Sequence, residues 1–393
     1  MENFFQRHAY LIEHTDTSMT RSLMNEIDWS YRMIGILGPR GVGKTTFLLQ
    51  YAKLNFDLSL ERCLYINLNS FYFQGCGIVE FADEFVKRGG KVLIIDQVFK
   101  HNGWREELCE CYHKFSNLHI IYGTTTVQIP NSEFHELNKI SKTYVLHGFS
   151  FREYINLQTQ ANLPRISLDD ILYHPETTQK NILMKVRPWN YLQSYLHHGY
   201  YPFFLENHNF TETLLKSINT MLEVDILFMK QIDVKYLARI KKLLYLLAIG
   251  SGGSPNVSNL AKDIQTSRAT VMNYMNNLEE ARLIHQIYKA SGSAPKKPAR
   301  ILMHNTNLLY GILNESPSEQ EIMETFFVNS IWRHHALEIS KKPGFFVIDK
   351  DKQICICNKT KKKRKEQGVY YARYNQEVGR DNDLPAWLFG FMY

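Results

Sequence analysis

The stretch Gly38-Pro39-Arg40-Gly41-Val42-Gly43-Lys44-Thr45 has the spacing G-x-x-x-x-G-K-[ST]. It lies between an apolar run, Met33-Ile34-Gly35-Ile36-Leu37, and a helix-like segment, Thr46-Phe47-Leu48-Leu49-Gln50-Tyr51. A strand, a glycine-rich loop and a helix in that order commit this part of the chain to an α/β fold built on a parallel sheet. Glycines at these positions let backbone N–H groups turn inward around a β-phosphate. Lys44 adds a point charge for the β- and γ-phosphates, and the Thr45 hydroxyl is placed to ligate magnesium. Gly38, Pro39, Arg40, Gly41, Val42, Gly43, Lys44, Thr45 and Thr46 are therefore the expected phosphate-binding residues, with ATP and Mg2+ as ligands.

The residues that follow support a P-loop NTPase sheet covered by helices. Cys63-Leu64-Tyr65-Ile66-Asn67-Leu68 reads as a buried strand, Ile78 to Lys87 as an amphipathic helix, and Val92-Leu93-Ile94-Ile95 as another buried strand. Asp96 closes that last strand, where a carboxylate holds magnesium through water. ATPases of this broad class usually carry a glutamate next, to polarise the attacking water, and this chain has Gln97. An amide cannot accept the proton, so hydrolysis is expected to be slow or impaired, unless another carboxylate substitutes or Gln97 itself orients the water. Leu118 to Gly123 reads as a further strand, and Thr124 or Thr125 at its end is a candidate sensor of the γ-phosphate, the alternative being a plain strand cap.

A formal net charge of +7 over 393 residues is compatible with a polyanionic partner but does not demand one. The six cysteines, at 63, 76, 109, 111, 355 and 357, form no C-x-x-C pair, which points to reduced thiols and no structural zinc. The N-terminal residues lack an apolar signal core, and no run is long and apolar enough to span a bilayer. A soluble, cytoplasmic protein with no membrane partner is expected.

Farther along, Ser258 to Ile264 has a short helix pattern, Gln265-Thr266-Ser267 a turn, and Arg268 to Leu278 a second helix capped by Ser267. With the strands His285 to Tyr288 and Ala299 to Leu302, joined through Ser291 to Pro298, this cadence is that of a winged helix. DNA would be met by Arg268, Thr270 and Asn273 at base edges and by Lys296 and Lys297 on phosphate, whereas a packing role between domains is the competing reading. Short strands at Phe345 to Ile348 and Ile354 to Ile356 precede a basic run at 359–365, a second candidate grip on a phosphate backbone or simply a solvated loop.

Several phrases together resemble a known family: the P-loop from Ile36 to Thr46, the Asp96 region through Trp104, Gly148-Phe149-Ser150-Phe151-Arg152-Glu153-Tyr154, Gly199-Tyr200-Tyr201-Pro202, His304-Asn305-Thr306-Asn307-Leu308, and the final Leu384 to Phe391. The chain resembles AAA-type P-loop ATPases of bacteria and archaea that carry a winged helix and a C-terminal restriction-endonuclease-like domain of unknown function. The resemblance implies a P-loop core over 1–155, a helical lid over 156–235, a winged helix over 236–315 and a small α+β nuclease-like domain over 316–393. It also implies that Pro202 and its neighbours lie near the adenine and that Arg152 lies close to the nucleotide, as an arginine finger or a structural residue. The aromatic run at 200–204 offers flat surfaces for a base, or is plain core. The acid expected in the nuclease-like core falls near Cys355, so metal-dependent cleavage is not expected. The expected function is a nucleotide-controlled switch acting on DNA, a protein partner or a homo-oligomer, the alternative being a non-catalytic ATP-binding scaffold.

Overall fold

Five short runs, four of them strongly apolar, become the strands of one parallel sheet: β1 (Met33–Leu37), β2 (Cys63–Asn67), β3 (Val92–Asp96), β4 (His119–Thr124) and β5 (Lys142–Val145). Their order across the sheet is β2-β3-β4-β1-β5, and every neighbouring pair is parallel. Strands covered by helices on both faces read as continuous Ile, Leu and Val runs, which is why β1 to β4 stand out in the sequence. The edge strand β5, Lys142-Thr143-Tyr144-Val145, is half exposed and carries no such signature. The computed structural model describes residues 1–57, 61–127, 135–206, 209–290, 297–358 and 368–393. Lys296 and the basic run 359–365 lie outside the described residues.

The chain divides into two compact units, Met1–His147 and Gly148–Tyr393. In the first, the helices Lys44–Asn55, Ile78–Lys87 and Trp104–Lys114 follow β1, β2 and β3. Phe81, Phe85, Leu64, Ile66, Leu93, Ile95, Trp104 and Leu108 form its main apolar cluster. An N-terminal helix, Glu2–Glu13, adds His8, whose Nδ1 accepts the backbone N–H of Tyr65 at 3.1 Å.

Burial lowers the His8 pKa from 6.5 to about 4, so the ring is neutral in the fold. A histidine held neutral binds fewer protons folded than unfolded between those two values. Its contribution is complete above about pH 6.5 and is lost as pH falls toward 4, amounting to about 3 kcal/mol. Denaturant titrations of the native chain and of His8→Gln across that window are expected to diverge, with the native chain losing more stability on acidification.

The second unit holds two smaller sheets. β6 (Ile284–Ile287) and β7 (Arg300–Met303) pair antiparallel, directly after the helices Val257–Asp263 and Arg268–Glu280. β8 (Leu337–Ile339), β9 (Phe345–Ile348), β10 (Lys352–Cys357), β11 (Val369–Arg373) and β12 (Asp383–Pro385) form a mixed sheet in the order β12-β11-β10-β9-β8, parallel from β10 to β12 and antiparallel from β8 to β10. One apolar cluster contains Phe151, Tyr195, Leu302, Phe326, Phe346 and Trp387. The segments expected as lid, winged helix and C-terminal domain thus contribute to a shared core. The division falls after His147, just ahead of the Ser150 to Tyr154 phrase.

Candidate nucleotide site

The loop between β1 and the helix Lys44–Asn55 depends on Gly43, which caps that helix with φ +89°, a left-handed conformation that disfavours side chains. The Lys44 ammonium is drawn into the loop, donating to the carbonyls of Gly38 at 2.7 Å and Pro39 at 2.8 Å. The helix's leading N–H groups and its dipole add to the attraction for an anion. Arg21, which the sequence pattern did not single out, braces the loop from outside, donating to Val42 O at 3.3 Å and His147 O at 2.8 Å. Arg40 stacks over the Phe99 ring at 5.4 Å, tying the loop to the turn after β3.

Asp96 ends β3 and is almost wholly buried. Its Oδ2 accepts hydrogen bonds from the Thr45 hydroxyl at 2.6 Å and the Tyr65 phenol at 2.9 Å, and its Oδ1 accepts the Gln97 N–H at 2.8 Å. A hydroxyl and a carboxylate brought together in this way are hard oxygen donors, the kind magnesium takes alongside phosphate and water. Gly123 makes room for them: a Cβ there would stand 2.7 Å from Asp96 Oδ1. Burial and the Asp96 charge push the Tyr65 phenol pKa well up, so Tyr65 stays a proton donor to the carboxylate. A hydrogen bond to a charged group contributes about 1.5–3 kcal/mol. Tyr65→Phe is expected to lose about that much stability in denaturant titrations and to weaken magnesium-dependent nucleotide binding several-fold by calorimetry.

Gln97 is half buried with φ +55°, in the left-handed region directly after the Asp96 carboxylate. Thr124 closes β4 and pairs in register with Leu37 of β1, which places it beside the strand that enters the loop. The Thr125 hydroxyl accepts the Val127 N–H at 3.4 Å, a local turn contact. The nearby Glu107 carboxylate is committed elsewhere, to the N–H groups of Ile78 and Val79 and to His101 at 2.6 Å. The first unit therefore brings together the loop residues 38–46, Asp96, Gln97 and Thr124.

The remaining candidates lie in the second unit. Arg152 is buried, its Nε donating to Tyr393 O at 3.0 Å and its Nη1 to Leu163 O at 3.4 Å. Pro202 opens the short helix Pro202–Leu205, and the preceding Tyr200 and Tyr201 are core side chains. Arg268 and Asn273 stay on the exposed side of their helix, Thr270 is half buried with its N–H on the Ser267 cap, and Lys297 is exposed. Cys355 and Cys357 occupy half-buried positions on β10, where Arg373 Nη1 donates to Cys357 Sγ at 3.2 Å. Among the described residues no group of three or more His, Cys, Asp or Glu could hold a metal ion. Among them, too, no helix is long and apolar enough to cross a membrane.

A parallel sheet with a glycine loop after β1 and a buried carboxylate at the end of β3 defines a P-loop NTPase fold. Residues 30–155 match the family profile described as an AAA domain, and residues 190–319 match a domain of unknown function (DUF8612). Over residues 30–155 the chain thus matches an AAA domain built around the P-loop. An uncharacterized protein of Methanocaldococcus jannaschii is 26% identical over 282 residues, covering 67% of this chain and 58% of that protein. The chain thus spans less than two thirds of the length of that relative. Among solved structures, a Thermotoga maritima RuvB variant shows 17% identity at a TM-score of 0.28, covering 73% of this chain and 89% of that one. Domain III of the Thermotoga maritima replication initiation protein DnaA shows 18% identity at a TM-score of 0.25, covering 41% of this chain and 68% of that one.

Proposed function

We propose that the chain binds ATP with Mg2+ at residues 38–46 and Asp96 and hydrolyses it slowly, so that the loaded state persists as a switch. The supporting observation is the Asp96 carboxylate, hydrogen-bonded to the Thr45 hydroxyl at 2.6 Å and followed by an amide where a base would stand. Bound magnesium would neutralise charge on the β- and γ-phosphates. Lys44 and the N–H groups of the loop orient the phosphates, Tyr65 and the Gln97 N–H hold the Asp96 carboxylate, and Thr124 is placed to contact the γ-phosphate. Gln97 can position a water but cannot take its proton. Calorimetric ATP binding and phosphate release, measured together on this chain, test the reading. Tight magnesium-dependent binding with slow release supports it; absence of binding overturns it, and binding without any release makes the chain an ATP-binding scaffold.

A second reading concerns duplex DNA. Arg268 and Asn273 remain exposed on a capped helix that follows a short helix and a turn and precedes the β6–β7 hairpin. This is the element order of a winged helix, whose second helix enters a major groove. Arg268→Ala is expected to weaken DNA binding roughly tenfold, the effect of about 1–3 kcal/mol at a base contact. Fluorescence anisotropy at two salt concentrations checks this, since a packing module would bind no DNA at either.

A further inference from the structure

Two arginines of the second unit, Arg282 and Arg333, are half buried, and neither forms an ion pair among the described residues. Arg282 Nε and both Nε and Nη2 of Arg333 are shielded from solvent and have no hydrogen-bond acceptor. Guanidinium groups do not shed their proton in proteins, so two charges stay in a poorly hydrated region. The carboxylates next to Arg282 in sequence are taken: Glu279 accepts from the Gln286 N–H and side-chain amide, and Glu280 pairs with Lys230 at 2.6 Å.

The arginines belong to a continuous cluster. The Arg282 guanidinium lies 4.5 Å over the Trp332 ring, and Trp332 is 4.9 Å from His285. His285 stacks on His304 at 4.5 Å, and His304 meets the Tyr200 ring at 5.9 Å. Arg333 covers the Tyr393 ring, and Tyr393 shares Asn329 with His304 through hydrogen bonds. Tyr200 is 1% exposed and His285 5%, yet Tyr200 Oη and His285 Nε2 also lack partners. Arg282 is close enough to the Tyr200 phenol and the Arg333 guanidinium to feel both electrostatically. Ordinary native cores leave few such groups unsatisfied, and a water would answer the N–H groups without answering the charge.

We propose that Arg282 and Arg333, together with the Tyr200 hydroxyl and His285 Nε2, form a binding site for a tetrahedral phosphoryl oxyanion, either inorganic phosphate or the phosphoryl end of a small phosphate ester. Guanidinium forks match such oxygens in number and geometry, and the hydroxyl and the ring nitrogen supply further contacts. All four of these residues belong to the second unit, and the proposal does not depend on Lys44.

The test uses the full chain carrying Lys44→Ala, so that a failed P-loop reading and a failed second site are told apart. Calorimetric titration with inorganic phosphate and, separately, with AMP is expected to show one-to-one binding of at least one of them. Phosphate alone identifies a free ion as the ligand, and AMP binding at least tenfold tighter identifies an ester. Arg282→Gln and Arg333→Gln are each expected to weaken binding at least tenfold, and Tyr200→Phe, which removes only an oxygen, several-fold. Arg282→Lys, which keeps the charge without the fork, is expected to recover part of the loss. Each variant is accepted only if its circular dichroism and unfolding midpoint match those of the parent. Binding of neither anion by the parent, or unchanged affinity in folded arginine variants, overturns the proposal.

Discussion

Gln97→Glu is expected to raise steady-state phosphate release on the order of 10²–10⁴-fold while leaving ATP affinity nearly unchanged. The backbone of residue 97 already has φ +55° and donates its N–H to Asp96 Oδ1 at 2.8 Å. A glutamate of nearly the same shape keeps that strain and that bond, so the exchange changes the chemistry of the side chain and little else. Its carboxylate accepts the proton of an attacking water, which the amide cannot do. The exchange places a second carboxylate next to Asp96, and a magnesium ion held by Asp96 and Thr45 would offset their repulsion. Phosphate release measured under saturating ATP decides the matter. An unchanged rate in Gln97→Glu shows that proton removal is already handled by another group or is not limiting, and the slow-switch reading then fails.

The parts of this site that could be read from the sequence are those fixed by local backbone demands. Gly43 must adopt a left-handed conformation at the head of a helix, and the strands on either side of Asp96 are buried on both faces, so motif and apolar run coincide. Tyr65, Arg21 and Gly123 left no such mark. Tyr65 reaches Asp96 only because β2 and β3 pair in register, and Gly123 matters only because β4 runs beside β3. Arg21 acts through carbonyls 21 and 126 residues away. These are consequences of sheet order, which a single sequence with a half-exposed edge strand such as β5 does not disclose. The second unit was harder still. Its segments have recognisable helix caps at Ser150, Ser267 and Ser318, but they share one core, so its composition offers no break at which to divide it. In the same unit Tyr200, Tyr201, Phe203 and Arg152 are buried and Phe204 packs against that core, although their residue types alone suit a ligand as well as they suit packing.

Lys44→Ala is expected to lower ATP affinity on the order of 10²–10⁴-fold, since it removes charge-assisted contacts to two phosphates at about 1.5–3 kcal/mol each. The lysine also bridges the Gly38 and Pro39 carbonyls, so part of any effect could come from a loosened loop. Two controls separate these causes. The substitution removes hydrogen bonds to two carbonyls of a loop that Arg21 still braces, so the unfolding midpoint should fall by only a few degrees, the size of about 1 kcal/mol in a domain of this kind. Asp96→Asn provides the second, because it spares the lysine and removes the charge that would hold magnesium. In Lys44→Ala the loss of affinity is expected with and without magnesium, whereas in Asp96→Asn it is expected only in its presence. Calorimetry of both variants under the two conditions therefore distinguishes a phosphate contact from a metal contact. If the two variants respond to magnesium alike, Lys44 and Asp96 do not play the separate parts assigned to them, and the division of labour in this site has to be drawn again from Thr45 and Tyr65 outward.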